Sequence, residues 1–361
     1  MKEQTYQEQL SMARTEKIRQ MLKALPSACT DFINDIRLVT TPLTRMAYVI
    51  DLSTFCKFAS LELPRFSNIE ITAWTDEDWA AVTIKHLLTY VDYLTLYYKE
   101  NSDIANQVLV QNHESGIMRK LSSLRSFFGF MFRNERIPAN TADLISLPKL
   151  HEKPILFLSE NEVEELLKAV RDGDSLSDTQ KKYHKITEKR DYAIIMLFLG
   201  TGMRVSECVS INIEDLDLDN NAVLVTRKGG NQVILYFPDE VKTALSEYLE
   251  QREQTEAAEG HEHALFLSIQ KKRISQRSVE IMVKKFCHLV VPLKKRMSPH
   301  KLRSTYATRL YHETDDIYLV ADALGHSDVN TTRKHYAAMS DGRRRQAAKN
   351  VHFPSLKKQD E

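Results

Sequence analysis

The sequence predicts a mainly α-helical protein with a small β-sheet, arranged as an N-terminal helical bundle followed by an α+β domain. Stretches such as residues 43–60 repeat apolar side chains near every third or fourth position, the period of an α-helix. Two β-rich runs between Ala222 and Phe237 flank a Gly-Gly pair, which predicts a hairpin. A charged segment between Pro148 and Pro154 is typical of an interdomain linker.

These observations place a helical domain at residues 1–147, a linker at 148–156, a second domain at 157–342 and a C-terminal tail at 343–361. The first domain is predicted to be entirely helical, with residues 86–98 forming an aromatic-rich helix. In the second domain, Ser159 and Glu162 have the spacing of a capping box. The polar residues 173–189 are predicted to form a loop, and a buried helix follows at 191–199.

The amino-acid composition indicates the class of protein and its cellular compartment. The 361 residues are 27% charged and 42% hydrophobic, which is ordinary for a globular chain. The net charge of +1 argues only weakly against a nucleic-acid partner, because binding depends on local basic faces. The chain has four cysteines without a CxxC pair, which is typical of a cytoplasmic protein. It begins with polar residues and has no apolar run of membrane-spanning length. We therefore expect a soluble, cytoplasmic protein without membrane insertion.

A stretch near the C-terminus gathers residues that carry chemistry. Ser298 and Pro299 predict a helix start, with Ser as the cap and Pro in the first turn. His300 and Arg303 follow with a spacing of three, so they lie on one helix face. A second helix is predicted to end at the glycine of Leu-Gly-His and to present the His from the turn, and Tyr336 comes ten residues later.

These residue types suit a tyrosine that attacks a phosphodiester. A tyrosine hydroxyl has a pKa of about 10 and needs a nearby base or positive charge to act as a nucleophile. Arginine holds phosphate oxygens well, because its planar fork donates two hydrogen bonds and stays charged. Arg204 is a candidate for a second arginine, with Glu207 positioned to bond to it. Lys228, at the predicted hairpin tip, is suited to protonate a leaving oxygen.

In order and local context, this set resembles the tyrosine recombinase (phage-integrase) family over about residues 155–340. The resemblance implies a DNA-clamping core-binding domain, a catalytic domain, and cleavage of one strand at a time through a 3′-phosphotyrosyl bond. The implied catalytic residues are Arg204, Lys228, His300, Arg303, His326 and the nucleophile Tyr336. Because the phosphotyrosine conserves the bond energy, neither a metal nor another cofactor is expected.

The resemblance also implies partners. It predicts two DNA duplexes carrying recombination sites, a homotetramer assembled on them, and a cell-division or directionality protein as a further partner. In relatives a C-terminal segment docks on the neighbouring protomer, and Val351 and Phe353 could supply that contact here. A disordered tail is the alternative.

The helix predicted at residues 113–134 carries a row of basic residues. Arg119, Lys120 and Arg125 are placed on its polar side, and the resemblance predicts that they contact DNA. A solvated helix face is the plainer interpretation of the same residues.

Alternatives stay open for single residues and for the biological role. A lone His or Arg is more often structural, and Tyr306, Tyr311 and Tyr318 are rival tyrosines that lack the position after Leu-Gly-His. The motifs EKRDYAIIMLFLGTGMRVSE and VTRKGGN are most similar to Xer-type recombinases, which implies resolution of chromosome dimers. An integrase of a mobile element is the first alternative. A DNA-binding accessory protein without catalysis is the second.

Overall fold

The computed structural model of the chain describes residues 5–99, 108–148, 155–227, 229–294, 297–325 and 328–330. The chain divides into two units, Met1–Glu152 and Lys153–Glu361. The mainly helical fold with small antiparallel sheets agrees with the predicted class. Most of the predicted linker and the whole of the predicted tail lie outside the described residues, so the domain boundaries remain predictions.

Helices make up most of the first unit. Their bounds are α1 (Tyr6–Leu22), α2 (Ser27–Asp35), α3 (Pro42–Glu62), α4 (Asp76–Ala80), α5 (Ile84–Thr95) and α6 (Glu114–Arg133). The hydroxyls of Thr5, Thr41 and Thr83 accept first-turn N–H hydrogen bonds at the starts of α1, α3 and α5. Buried rings fill the space between the helices, and Trp79 packs with its ring centroid 4.6 Å from that of Phe127.

The prediction that the first unit is entirely helical is wrong at its centre. Helix α5 ends at Thr95, and the chain continues as β1 (Leu96–Lys99), which pairs antiparallel with β2 (Val108–Gln111). Tyr97 and Tyr98 favour a strand as readily as a helix, so the aromatic pattern alone did not decide between the two. The side-chain amide of Asn112 then donates to the Leu94 carbonyl, one of the groups left without a helical partner at the end of α5.

A buried carboxylate links α3 to α6. Asp51 is fully buried, and its Oδ2 accepts hydrogen bonds from the Arg119 guanidinium and from the Ser123 hydroxyl, the latter at 2.7 Å. Burial raises the pKa of Asp51, whereas the Ser123 hydrogen bond and the Arg119 charge act in the opposite direction. The cluster cross-links two helices that otherwise meet through apolar contacts.

The second unit packs helices against a long central helix and also contains a small sheet. Its helices are α7 (Glu160–Asp172), α8 (Asp178–Thr201), α9 (Val205–Ser210), α10 (Asp239–Glu253), α11 (Gln276–Val290), α12 (Pro299–Thr314) and α13 (Ile317–Leu324). The strands β3 (Leu216–Asp217), β4 (Ala222–Thr226) and β5 (Gln232–Tyr236) form an antiparallel sheet in the order β3-β4-β5. The C-terminal half of α8 is buried and packs against α10 and α12. The predicted hairpin and the capping box of Ser159 with Glu162 are both present.

The prediction of a loop at residues 173–189 is wrong from Asp178 onward, because this stretch forms the first turns of α8. Ser177 caps the helix, and Gln180 completes a capping box that was not predicted. His184 is buried against Gly173, whose missing side chain makes room for the imidazole ring. The polar composition concealed the helix because few apolar residues mark its buried side. None of the described helices is long and apolar enough to cross a membrane.

We expect Asp51→Ala to lower the free energy of unfolding of the first unit by about 2–4 kcal/mol. The substitution removes the carboxylate to which both Ser123 and Arg119 donate, and it opens a cavity between α3 and α6. Both tryptophans of the chain, Trp74 and Trp79, lie in this unit, so their fluorescence in urea reports its unfolding alone. Asp35→Ala, at an exposed site, should change the value by less than about 0.5 kcal/mol, and equal effects of the two variants would contradict the role of Asp51.

Candidate active site

Helix α12 carries two of the predicted catalytic residues in its first two turns. Pro299 occupies the first helical position, where its missing N–H costs no hydrogen bond. Ser298 stands at the N-cap, but among the described residues its side chain makes no capping hydrogen bond, so the predicted side-chain cap is wrong. His300 is exposed, and Arg303, one turn later, is only 4% exposed.

The Arg303 guanidinium joins three segments of the second unit. Its Nη1 donates to the Gly202 carbonyl at 2.6 Å, and its Nη2 donates to the Leu324 carbonyl. Gly202 lies two residues before Arg204, and Leu324 is the last residue of α13. One buried side chain therefore ties α12 to the turn that carries Arg204 and to the helix end that precedes His326.

Arg204 is positioned by a turn and by a buried carboxylate. Helix α8 ends at Gly202, whose φ of 62° is left-handed, and the Tyr306 ring fills the place where a Cβ would lie. The Arg204 N–H and Nη1 each donate to Glu207 at 2.8 Å. Glu207 is 3% exposed, whereas the Arg204 side chain is 36% exposed. The predicted bond between the two is present, and it holds the guanidinium while leaving part of it accessible.

The tip of the β4–β5 hairpin follows the predicted Gly-Gly turn. Gly229 and Gly230 have φ of 97° and 88°, values that favour glycine. Lys228, the predicted proton donor, lies outside the described residues. Its neighbour Arg227 was not predicted to belong to the site, and the Arg227 Nη2 donates to the Ala323 carbonyl at 3.0 Å. No local sequence signal points to this contact, because the partners are 96 positions apart.

Helix α13 ends as the Leu-Gly-His motif predicts. Gly325 has a φ of 61° and forms the left-handed C-cap of the helix. The Asn330 N–H donates to the Asp328 side chain at 2.9 Å, and residues 329–330 are helical. His326 and Tyr336 lie outside the described residues, so the structure does not place the predicted nucleophile.

Two of the rival tyrosines have clear placements. Tyr306 is partly buried against Gly202, and burial raises the pKa of its hydroxyl, although the Arg303 charge lowers it. A raised pKa makes a phenol a weaker nucleophile at neutral pH. Tyr318 is 71% exposed on α13. Packing against Gly202 accounts for the position of Tyr306.

The basic residues predicted to contact DNA have partners within the first unit. Lys120 is only 6% exposed, so its placement on the polar side of α6 is wrong. Its amine donates to the Asn112 side chain at 3.3 Å, and burial lowers the pKa of the amine. The Arg119 guanidinium donates to Asp51. The Arg125 guanidinium donates to the main-chain carbonyls of Ala142, Asp143 and Ile145. Contact of these residues with DNA remains a prediction.

The second unit corresponds to a known family. The model of the phage integrase family matches residues 156–343. The tyrosine recombinase XerC of Caldanaerobacter subterraneus subsp. tengcongensis is 32% identical over 333 residues, covering 89% of this chain and 86% of the relative. The XerC of Thermodesulfovibrio yellowstonii is 30% identical over 309 residues, covering 84% and 89%. The XerC of Bacillus subtilis is 34% identical over 239 residues, covering 62% and 72%.

Solved structures share the fold. The Tn1549 transposon integrase in complex with circular intermediate DNA has a TM-score of 0.60 at 18% identity, with 89% of this chain and 98% of that chain covered. The XerH recombinase bound to its difH substrate has a TM-score of 0.59 at 20% identity, with 87% and 81% covered.

The chain belongs to the phage integrase family, the tyrosine recombinases. Its enzyme class is therefore that of a DNA strand transferase, which cuts and rejoins DNA through a covalent bond to the protein. Its similarity to relatives named XerC identifies the broader activity as site-specific recombination.

We expect Glu207→Gln to lower the rate of DNA strand cleavage by about tenfold, because a charge-assisted hydrogen bond to Arg204 becomes a neutral one worth roughly 1 kcal/mol less. Single-turnover cleavage of a recombination-site duplex measures the effect. The matched control is Glu214→Gln, which removes an exposed charge nearby and should leave the rate unchanged. Equal rates for the Glu207→Gln variant and the unmodified enzyme would show that Arg204 does not depend on this carboxylate.

Proposed function

We propose that the chain is a site-specific recombinase that uses a six-residue active site and resolves chromosome dimers. Tyr336 is the nucleophile, and its hydroxyl oxygen attacks the scissile phosphate. Arg204 and Arg303 hold the non-bridging oxygens of that phosphate. His300 assists removal of the tyrosine proton. Lys228 protonates the leaving 5′-oxygen, and His326 donates a hydrogen bond to the phosphate. These roles come from the match to the family's motifs.

The observation that carries the proposal is the pair of hydrogen bonds from the Arg303 guanidinium. They connect α12 to the Gly202 turn and to the end of α13, so segments from three distant parts of the sequence converge. Each segment lies within two residues of a proposed catalytic residue. A convergence of this kind is what an active site assembled from separated motifs requires.

The proposed reaction balances without an added cofactor. The bond from the Tyr336 oxygen to phosphorus forms while the bond from phosphorus to the 5′-oxygen breaks. His300 assists removal of the tyrosine proton, and Lys228 donates a proton to the 5′-oxygen. The phosphotyrosine keeps the energy of the broken ester, so the 5′-hydroxyl of a partner strand can reverse the step and rejoin DNA.

Arg204 and Arg303 are suited to different parts of this work. The Arg204 side chain is partly accessible and is oriented by Glu207, so its fork can approach a phosphate. Arg303 is buried, and a fixed positive charge acts more strongly on developing negative charge where water is excluded. We expect the buried arginine to act as both a structural tie and an electrostatic stabiliser.

The proposed biological role follows the named relatives. Recombinases named XerC match most of the chain at 30–32% identity, which favours an Xer-type role in chromosome segregation in the cytoplasm. We propose a homotetramer on two DNA duplexes, with residues 1–147 clamping the DNA, and a cell-division or directionality protein as a further partner. A mobile-element integrase remains the alternative, because the Tn1549 integrase shares the same fold.

We expect Tyr336→Phe to abolish the covalent adduct with DNA while leaving DNA binding nearly unchanged, because only the nucleophilic oxygen is removed. A nicked suicide duplex releases the leaving fragment and traps the adduct, which is then counted as a shifted band on a denaturing gel. The matched control is Tyr318→Phe on the exposed tyrosine of α13, which should keep its adduct. An adduct from the Tyr336→Phe variant would remove this residue as nucleophile. Binding without any adduct from the unmodified enzyme would favour a DNA-binding accessory protein.

The two biological roles predict different substrates. The test uses plasmids that carry two direct copies of a candidate site. We expect the enzyme to resolve a plasmid whose two sites are copies of a palindromic repeat from the replication terminus region. We expect no resolution of plasmids that carry the ends of a mobile element adjoining the gene. The reverse preference would assign the enzyme to the element. Adding Tyr336→Phe enzyme to each plasmid controls for contaminating nucleases.

A further inference from the structure

Arg227 links the β4–β5 hairpin to the end of α13. Its main chain belongs to the hairpin, since its N–H donates to the Asn231 carbonyl at 2.8 Å and its carbonyl accepts from the Gly230 N–H at 3.0 Å. Its side chain leaves the hairpin, and Nη2 donates to the Ala323 carbonyl at 3.0 Å. Hydrogen bonds therefore fix both the main chain and the guanidinium of Arg227, and the residue connects two elements far apart in sequence.

The guanidinium of Arg227 lies directly against Gly325. A Cβ added to Gly325 would lie 2.0 Å from the Arg227 Nη1 and 2.3 Å from its Cζ, so a side chain at this position would displace the guanidinium. Gly325 also has a φ of 61°, which disfavours other residues. Glycine at this position thus serves two purposes, because it ends α13 and admits the arginine.

Helix termini explain why an arginine stabilises this junction. The last carbonyls of a helix have no partner within the helix and carry partial negative charge. Arg227 donates to the Ala323 carbonyl, and Arg303 donates to the Leu324 carbonyl. Two arginines therefore cap consecutive carbonyls at the end of α13, one from the hairpin and the other from α12.

The two glycines of the hairpin tip lie in open space. Cβ atoms built at Gly229 and Gly230 meet nothing within 4 Å among the described residues. Glycine has more backbone freedom than any other residue, so holding Gly229 and Gly230 in one conformation costs conformational entropy. Among the described residues, the Arg227 side chain adds to the hairpin's own hydrogen bonds a contact with the end of α13.

The position of Arg227 in the chain determines what this restraint affects. Lys228 is the next residue, and consecutive Cα atoms are about 3.8 Å apart, so holding residue 227 limits where residue 228 can go. We infer that Arg227 is a positioning residue, which holds the hairpin tip at the end of α13 so that Lys228 can protonate the leaving 5′-oxygen. This inference rests on the proposed function of Lys228.

A substrate with a sulfur leaving group tests this role. In a duplex with a 5′-bridging phosphorothiolate, cleavage breaks a phosphorus–sulfur bond and releases a thiolate. An ordinary thiol has a pKa of about 8.5, so the thiolate departs without a proton from the enzyme. A variant that has lost only proton donation should therefore recover on the sulfur duplex. A variant with a generally damaged site should stay slow.

We expect Arg227→Ala to slow cleavage of the ordinary suicide duplex by about 10- to 100-fold, somewhat less than the loss of a general acid itself. On the sulfur duplex its rate should come within about threefold of the unmodified enzyme's, since proton transfer no longer limits the step. Lys228→Ala should show the same pattern, and Arg204→Ala should be slow on both duplexes. Arg171→Ala removes an arginine that bonds to Glu247 on α10, and it should match the unmodified enzyme on both.

Three outcomes would overturn the inference. Equal slowing of Arg227→Ala on the two duplexes would assign the residue to folding or DNA binding, and unchanged cleavage of both would leave it without a role in the reaction. If Lys228→Ala stayed slow on the sulfur duplex, Lys228 would not be the acid that Arg227 positions. A Tyr336-dependent adduct in the same assay would keep the proposed function intact in each case.

Discussion

The arrangement of the candidate active site in the second unit depends on a buried positive charge, the guanidinium of Arg303. Moving a charged group out of water costs several kcal/mol unless hydrogen bonds replace the lost hydration. The carbonyls of Gly202 and Leu324 provide that replacement. The same two bonds set the distance from α12 to the Arg204 turn and to the end of α13. The same side chain thereby contributes to the stability of the fold and to the alignment of the proposed active site.

Both helices that Arg303 contacts end at a glycine in the left-handed conformation. At Gly202 the missing side chain admits the Tyr306 ring, and at Gly325 it admits the Arg227 guanidinium. A left-handed cap turns the chain sharply and exposes carbonyls, which arginines can then reach. The convergence of the site therefore depends on close approach of side chains to backbone, and small residues at these two positions permit it.

Arginines in the first unit show that the residue type alone does not reveal a role. Arg136 donates to both carboxylate oxygens of Asp76 and also to Asp31, and it joins separate helices. Arg119 satisfies the buried Asp51, and Arg125 binds backbone carbonyls. Basic residues on α6 were predicted to contact DNA because of the resemblance to the family. Their geometry shows that the fold itself uses them.

Much of the local structure could be predicted from the sequence because its causes are local. The capping box of Ser159 and Glu162, the hairpin around Gly229 and Gly230, and the helix end at Gly325 each depend on residues a few positions apart. The bond between Arg204 and Glu207 was predictable for the same reason. The failures at the start of α8 and at β1 arose where polar or aromatic residues fit more than one element.

The sequence by itself determined the family, because residues in separated motifs keep their order and local context whatever their distance in space. Only the tertiary structure decided which side chains meet. It buried Lys120, paired β1 with β2, and brought Arg227 to Ala323 from 96 positions away. These contacts depend on how whole helices and strands pack, and packing is set by the sum of many weak interactions across the unit.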